Sequence, residues 1–246
     1  VGGTKTELGE VEPHVDVVQA YIVEDPTEIS LDEKKRQMDH YNDLVWSVGG
    51  INSADIIYGD TSRKTVFGSS DGSYIEQQQV HVVSRISAQA RSGGDVQQAG
   101  FSLGSQGDYG LIRGLDDQVI DAAKRAVALL DAKPLEGGER TVVLDPILAR
   151  VFVHEAFGHL SESDNVYEND KLKEIMYMGR KFGGKHLNFT DGASIPALRG
   201  SFKYDDEGTP ATRTALVREG ELVGRLHSRE TAAKMGEKLT GNARAI

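Results

Sequence analysis

Residues 141–159 read TVVLDPILARVFVHEAFGH, and they place two histidines and a glutamate within six consecutive positions. Neutral imidazole is the commonest protein ligand of Zn²⁺, and a catalytic zinc ion normally takes three protein ligands and a water. A neighbouring glutamate can take a proton from that water. His154 and His159 are therefore candidate metal ligands, and Glu155 is a candidate general base.

The two histidines are five residues apart, which is not the spacing of the familiar His-Glu-x-x-His motif. On a regular α-helix, five steps of roughly 100° place two side chains about 140° apart, so they cannot share one ion. The backbone must widen or end near His159. Gly158 is the residue best able to accept a π-bulge or an early helix end, so we predict that it has a structural role at the site. Alternatively, both histidines cap or pack the helix without metal.

The residues before the motif predict a strand followed by a helix. Residues 141–144 are a short, β-branched run, Asp145 is a favourable N-cap, and Pro146 suits the first helical position. Apolar residues then recur at helical spacing, namely Ile147, Leu148, Val151 and Phe152. This pattern predicts that the motif lies on the second half of a strand-helix unit that is anchored in a core.

The segment that carries the histidine motif, residues 142–164, resembles the TldD/PmbA family of zinc metalloproteases, and specifically its TldD-like subunit. Three later blocks are similar to the same family and follow in the expected order: residues 205–211 (DDEGTPA), 217–222, and 240–244 (TGNAR). Together the blocks span about residues 140–246, whereas the first 140 positions carry no strong motif of this family.

The resemblance implies a zinc-dependent peptidase that cleaves unstructured peptides or proteins. In this family the two motif histidines, here His154 and His159, bind zinc together with a cysteine from a later C-terminal domain, and the motif glutamate, here Glu155, is the general base. The chain contains no cysteine. The resemblance therefore implies a fragment that lacks the C-terminal domain, has its third ligand outside this chain, and is inactive alone. It also implies a paralogous TldE/PmbA-like partner subunit or a homo-oligomer.

Three alternatives remain open from the sequence. The third ligand could come from this chain, and the candidates are Asp164, His186, Asp191 and His227. The protein could instead be a non-catalytic module that binds a peptide or a partner, with a structural histidine pair. A metallohydrolase acting on other bonds is the third alternative, because a zinc site with a carboxylate does not specify the bond that it cleaves.

The composition excludes several other classes. The net charge is −10 over 246 residues, which argues against a nucleic-acid surface because phosphate binding depends on clustered Lys and Arg. No apolar run approaches the roughly 18 to 20 residues of a membrane span, and no secretory leader opens the sequence. We therefore predict a soluble, cytoplasmic protein that acts on peptides, without nucleic acid or membrane.

The remaining pattern predicts an α+β fold in which helices cover an antiparallel β-sheet meander, followed by the metal-motif unit and a second antiparallel β region. Ser30 is predicted to cap a helix over 31–48, and Asp116 or Asp117 a second helix that ends before Pro134. Strands are predicted at 51–58, 64–68, 73–90, 95–103, 202–205, 212–218 and 221–227, and a short helix at 229–238. Residues 100–114 are predicted to be a flexible, glycine-rich loop. The glycine turn at 136–139 divides the chain into an N-terminal domain, 1–138, and the start of a metal-site domain, 139–246.

Overall fold

A four-stranded sheet forms the scaffold of the first half of the chain. The computed structural model describes residues 6–244, and in this range the sheet is built around the long central strand β3 (Tyr74–Ser92). Strand β2 (Ile51–Gly68) pairs antiparallel with one side of β3. The other side of β3 pairs with β1 (Val15–Val18), which is parallel, and with β4 (Asp95–Gln106), which is antiparallel. The predicted α+β class with an antiparallel meander is confirmed.

The sheet differs from the sequence prediction in its strand lengths. Residues 51–58 and 64–68, predicted as two strands, belong to one strand because β3 is long enough to pair with all of them. Turns at Asp71-Gly72 and Gly93-Gly94 connect the long strands, and φ is positive at Gly72 and Gly93. Strand β1 was not anticipated by the pattern.

The predicted flexible loop at residues 100–114 is wrong for its first half. Gly100 and Gly104 lie inside β4. A Cβ at Gly100 would come within 2.4 Å of the carbonyl oxygen of Ile86 on β3. Glycine at this position therefore permits close approach of two strands, and does not make the segment flexible. Only the later part, which contains the 3₁₀ turn Tyr109–Ile112, connects the sheet to the next helix.

Two helices pack on the sheet, α1 (Leu31–Trp46) and α2 (Asp116–Ala128). Helix α1 begins as predicted, because Oγ of Ser30 accepts a hydrogen bond from the amide of Glu33 at 3.2 Å. Buried side chains of both helices and of β3 form one hydrophobic cluster, which includes Tyr41, Val45, Val82, Ile86, Val119 and Ala123. Partly buried side chains of β4 pack against it.

The start of α2 corrects the prediction. Leu115 occupies the N-cap position and makes no side-chain cap. The predicted caps Asp116 and Asp117 instead lie in the first turn, where a carboxylate interacts favourably with the helix dipole.

The second half of the chain contains a smaller antiparallel sheet in the order β5 (Phe189–Asp191), β6 (Thr214–Arg218), β7 (Glu221–Leu222). The strand predicted at 202–205 is wrong, since that segment makes only an isolated bridge between Tyr204 and Pro210. The strand predicted over 221–227 ends at Leu222, and β5 was missed.

Four short helices complete this half: α3 (Pro146–Val153), α4 (Ser163–Glu168), α5 (Asp170–Ile175) and α6 (Arg229–Met235). The last confirms the helix predicted near 229–238, and it starts with a capping box formed by Ser228 and Thr231. A second hydrophobic cluster contains Phe157, Val166, Met176, Leu216, Val217 and Leu222. The predicted boundary at 138/139 lies between the two clusters and stays a prediction.

Polar contacts join the long sheet to the second half of the chain. Nε2 of Gln77 donates to the carbonyl of Tyr204 at 2.9 Å, and Nε2 of Gln79 donates to the carbonyl of Ser201 at 3.2 Å. Asp16 on β1 accepts a hydrogen bond from the hydroxyl of Tyr204 at 2.9 Å. Among the helices of residues 6–244, none has the length and apolar character needed to cross a lipid bilayer.

Tyr41 provides a test of the first hydrophobic cluster. Its side chain is fully buried, and its hydroxyl donates to the carbonyl of Ile112 at 2.5 Å and accepts from the amide of Leu115 at 3.2 Å. We expect Tyr41→Phe to lower the free energy of unfolding by about 1–3 kcal/mol, because two buried backbone groups lose their partner. Urea denaturation measures this change.

The matched control is Tyr74→Phe. Tyr74 is exposed, and its hydroxyl donates to Glu76. We expect a change within about 0.5 kcal/mol for the control. Equal, small changes for both variants would contradict the structural role given to the buried hydroxyl.

Candidate metal centre

Helix α3, which leads into the histidine motif, begins as the sequence predicts. Asp145 is the N-cap, and its Oδ1 accepts hydrogen bonds from the amides of Ile147 and Leu148 at 2.8 and 2.9 Å. Pro146 is the first helical residue, where its missing N–H costs nothing. The strand predicted at 141–144 is wrong: these residues are not in a strand, because a β-branched run forms one only beside a partner strand.

The apolar stripe of α3 is not anchored in a core in the described structure, which corrects a second prediction. Ile147, Leu148, Val151 and Phe152 remain 46% to 69% exposed. The anchor is Phe157, which is 7% exposed and lies within the motif itself. Its ring packs against the rings of Phe182 and Phe189, with centroids 5.1 and 5.3 Å away.

The helix widens within the motif. Residues His154–Gly158 form one π-helical turn, and the amide of His159 donates to the carbonyl of His154, five residues earlier. Such a bond places residues i and i+5 one above the other, which a regular α-helix does not do. The imidazole centroids of His154 and His159 are 4.6 Å apart, with the ring planes inclined at 61°. The predicted widening of the backbone is confirmed.

The π-turn brings three donor groups together. One ligand atom from each of His154, Glu155 and His159 lies within 4.8 Å of the other two, and all three side chains are exposed. Nε2 of His159 is 3.9 Å from Oε2 of Glu155. Two imidazoles and a carboxylate are a donor set that zinc accepts, so these residues fit this metal. Within residues 6–244 this is the sole group of three or more such side chains close enough to hold one ion.

Gly158 lies in the π-turn with an ordinary right-handed backbone, φ −54° and ψ −54°. A Cβ built at this position would lie 3.4 Å from Nδ1 of His154, which is ordinary van der Waals contact. The turn therefore does not use the positive φ that glycine permits. Its absent side chain leaves room beside the His154 ring, and its role at the site stays a prediction.

A cavity of about 520 Å³ opens beside the donor groups. His154 and Glu155 line it, together with the residues of β5, which is the edge strand of its sheet. Apolar side chains of Leu216 and Ile195 contribute to the lining, together with Arg213. The cavity thus brings an edge strand and apolar side chains together with two of the three donor groups, His154 and Glu155.

Asp191, at the end of β5, faces the same cavity. Partial removal of its carboxyl from water raises the pKa of Asp191, although part of the side chain stays accessible. The positive charge that His154 can carry lowers the same pKa. Asp191 is close enough to His154 to interact electrostatically, but it is not part of the three-donor group.

The other candidates for an internal third ligand also lie outside the group. His227 is 2% exposed, and its ring nitrogens contact Ser163, Thr231 and Glu237. Asp164 and His186 are exposed and belong to neither the three-donor group nor the cavity beside it. The three-donor group therefore consists of two histidines and one glutamate, and it includes none of these four candidates.

Sequence reasoning missed Glu162, which contacts the site through His159. Oε1 of Glu162 is 3.0 Å from Nδ1 of His159, and Nδ2 of Asn165 donates to Oε2 of Glu162 at 3.1 Å. The available signal was spacing, since side chains three residues apart are neighbours on a helical turn.

Two family models match the chain. The model described as the PmbA/TldA metallopeptidase central domain matches residues 24–130, and the model described as the PmbA/TldA metallopeptidase C-terminal domain matches residues 137–246. A metalloprotease of Synechocystis sp. is 45% identical over 251 residues, which cover 100% of this chain and 54% of that protein. A protein of Saccharolobus solfataricus named as a zinc metalloprotease TldD homolog is 27% identical, over 94% of this chain and 54% of its own length. The chain spans about half the length of these curated relatives.

Solved structures share the fold. A protein of Thermotoga maritima described as a putative modulator of a DNA gyrase superposes with a TM-score of 0.74 at 20% identity, and the match covers 98% of this chain and 55% of that one. TldE from Thermococcus kodakarensis superposes with a TM-score of 0.61 at 15% identity, over 85% of this chain and 46% of that one. At these identities the likeness shows the fold alone.

Gly158→Ala tests how the π-turn is built. We expect it to lower the free energy of unfolding by less than about 1 kcal/mol, because the added methyl meets only ordinary contacts and φ is favourable. The matched control is Gly220→Ala, where φ is +85° and a Cβ would lie 2.2 Å from the carbonyl oxygen of Gly183. The control should lose more than about 2 kcal/mol in urea denaturation. A large loss at position 158 would show that the turn requires glycine for its backbone.

Proposed function

Because the chain belongs to the PmbA/TldA metallopeptidase family, we propose that it supplies two zinc ligands and the general base of a peptidase that cleaves unstructured peptides or proteins. The observation that carries this proposal is the convergence of His154, Glu155 and His159 at the π-turn. The relatives named as metalloproteases support the reaction class, and the name of the Saccharolobus relative supports zinc. The proposed place of action is the cytoplasm.

The proposed roles follow from the chemistry of the side chains. His154 and His159 hold the zinc ion, and the third ligand is a cysteine outside this chain. Bound zinc supplies Lewis acidity, which makes a nearby water more acidic and a peptide carbonyl more electrophilic. Glu155 takes one proton from the attacking water as the new C–O bond forms. Glu155 then delivers that proton to the leaving amine as the C–N bond breaks.

The strand edge of β5 is the proposed platform for the substrate. An extended peptide can pair with an exposed edge through its main chain, which tolerates many sequences. Strand β5 pairs with β6 on one side, and it lines the same cavity as His154 and Glu155. A peptide on this edge would pass the donor groups in extended form, which suits an unstructured substrate.

The proposal includes a partner and a domain division. We propose a paralogous subunit of the TldE/PmbA type, or a second copy of the protein, as the partner. This pairing is what the resemblance to the TldD/PmbA family implies. We also propose that residues 1–138 and 139–246 belong to two domains, since the two hydrophobic clusters lie on either side of this boundary.

The first test uses the full-length protein. By this we mean a polypeptide that contains this chain and is as long as the relatives. We expect Glu155→Gln to abolish cleavage of an unstructured peptide and to retain zinc, because the amide cannot accept the proton. His154→Ala should instead lose zinc. Chromatographic peptide assays and metal analysis measure the two properties.

The matched control for this test is His186→Ala, which removes an exposed histidine outside the donor group. It should keep both zinc and cleavage. Peptide turnover that survives in Glu155→Gln would refute Glu155 as the base. Turnover of ester or amide surrogates without peptide cleavage would redirect the proposal to another hydrolase class.

The second test concerns the 246-residue chain alone. We expect calorimetry to show weak zinc binding or none, and no peptide cleavage, because two imidazoles without a third strong ligand hold zinc poorly. The His154→Ala chain is the control for the background heat. Tight binding of one zinc per chain would contradict the proposed external cysteine and would show that the third ligand is internal.

A further inference from the structure

The second motif histidine has a carboxylate partner on the ring nitrogen that faces away from Glu155. Nδ1 of His159 is 3.0 Å from Oε1 of Glu162, whereas Nε2 of His159 lies 3.9 Å from Oε2 of Glu155. The two nitrogens of an imidazole point to opposite sides of the ring. Glu162 therefore cannot reach an ion bound at Nε2, and it is not itself the third ligand.

We propose that Glu162 is a positioning residue that prepares His159 to bind the metal, an inference that rests on the proposed zinc-peptidase function. A carboxylate beside Nδ1 favours the tautomer in which Nδ1 carries the proton and donates it in a hydrogen bond. The lone pair is then on Nε2, toward the three-donor group. The same hydrogen bond fixes the rotation of the ring and makes Nε2 a stronger donor to a cation.

Glu162 is itself held by Asn165. Nδ2 of Asn165 donates to Oε2 of Glu162 at 3.1 Å and lies 3.3 Å from the carbonyl oxygen of His159. Oε1 of the carboxylate is thus left for the imidazole, while Oε2 is held by the amide. Contacts on both of its oxygens therefore hold the Glu162 carboxylate between Asn165 and His159, whereas a single exposed ion pair is not held in one geometry.

The backbone at Glu162 is fixed by the residues on either side of it. Ser161 and Ser163 are buried, and the amide of Ser163 donates to the carbonyl of Leu226 at 3.0 Å. The amide of Leu226 donates in turn to the carbonyl of Ser161 at 2.8 Å. These bonds hold the segment after the π-turn against a segment that is remote in sequence, so the backbone that carries the Glu162 side chain has a fixed position.

The closing experiment measures zinc affinity and the histidine tautomer separately. Zinc affinity is measured in the full-length protein by competition with a chelating dye. We expect Glu162→Ala to weaken it about 10- to 100-fold. Glu162→Gln should weaken it less, because an amide oxygen still accepts the Nδ1 proton. The matched control Glu168→Ala removes an exposed carboxylate that does not contact His159, and it should change zinc affinity less than about twofold.

The tautomer is measured by NMR of the metal-free 246-residue chain with ¹⁵N-labelled histidine, at a pH where the imidazole is neutral. We expect His159 to carry its proton on Nδ1 in the wild type and to shift toward the Nε2 form in Glu162→Ala. Urea denaturation of the same proteins reports any loss of fold, and Glu162→Gln decides the outcome if Glu162→Ala does not fold.

The two readouts distinguish the failure of this inference from the failure of the proposed function. A wild type that does not bind zinc would overturn the function, whereas the tautomer of His159 would still decide the role of Glu162. Zinc affinity in Glu162→Ala within about twofold of the wild type would overturn the positioning role. A wild-type His159 protonated on Nε2 would overturn it as well.

Discussion

The hydrogen bond from the amide of His159 to the carbonyl of His154 spans five residues, and the candidate metal centre depends on it. In a regular α-helix the two imidazoles would point to different sides of the helix. The wider turn instead brings their ring centroids to 4.6 Å from each other, and Glu155 lies next to His154 in sequence and near His159 in space. One local change in the backbone thus converts a helical segment into a group of three donors on one surface.

Contacts before, within and after the π-turn fix its position. Before it, Asp145 caps α3 and fixes where the helix begins. Within it, Phe157 inserts between aromatic rings of the second hydrophobic cluster. After it, Ser161 and Ser163 bond to Leu226, which lies more than sixty residues later. The turn is therefore kept by tertiary contacts at its centre and at its end, while the exposed stripe of α3 contributes little burial.

The long sheet serves the site indirectly. Gln77 and Gln79 on β3 donate to the carbonyl oxygens of Tyr204 and Ser201. These bonds hold the segment that follows β5 in the chain. Strand β5 and the π-turn both line one cavity. An edge strand, the carboxylate of Glu155 and the imidazole of His154 line this cavity, and the ring of His159 lies beside that of His154. They combine a place for an extended chain with the groups that hydrolysis needs.

The sequence by itself determined the local features: the caps at Ser30 and Asp145, the antiparallel order of the meander, and the need for a widened turn between two histidines five residues apart. Each of these depends on a few neighbouring residues, so spacing and side-chain type suffice to predict it. Only the tertiary structure decided which strands exist in the second half and which carboxylates stand beside the histidines. Residues 141–144 have strand composition but no partner, and 189–191 form a strand because β6 is beside them. Strand pairing and burial depend on residues far away in the chain, and no local pattern records those contacts.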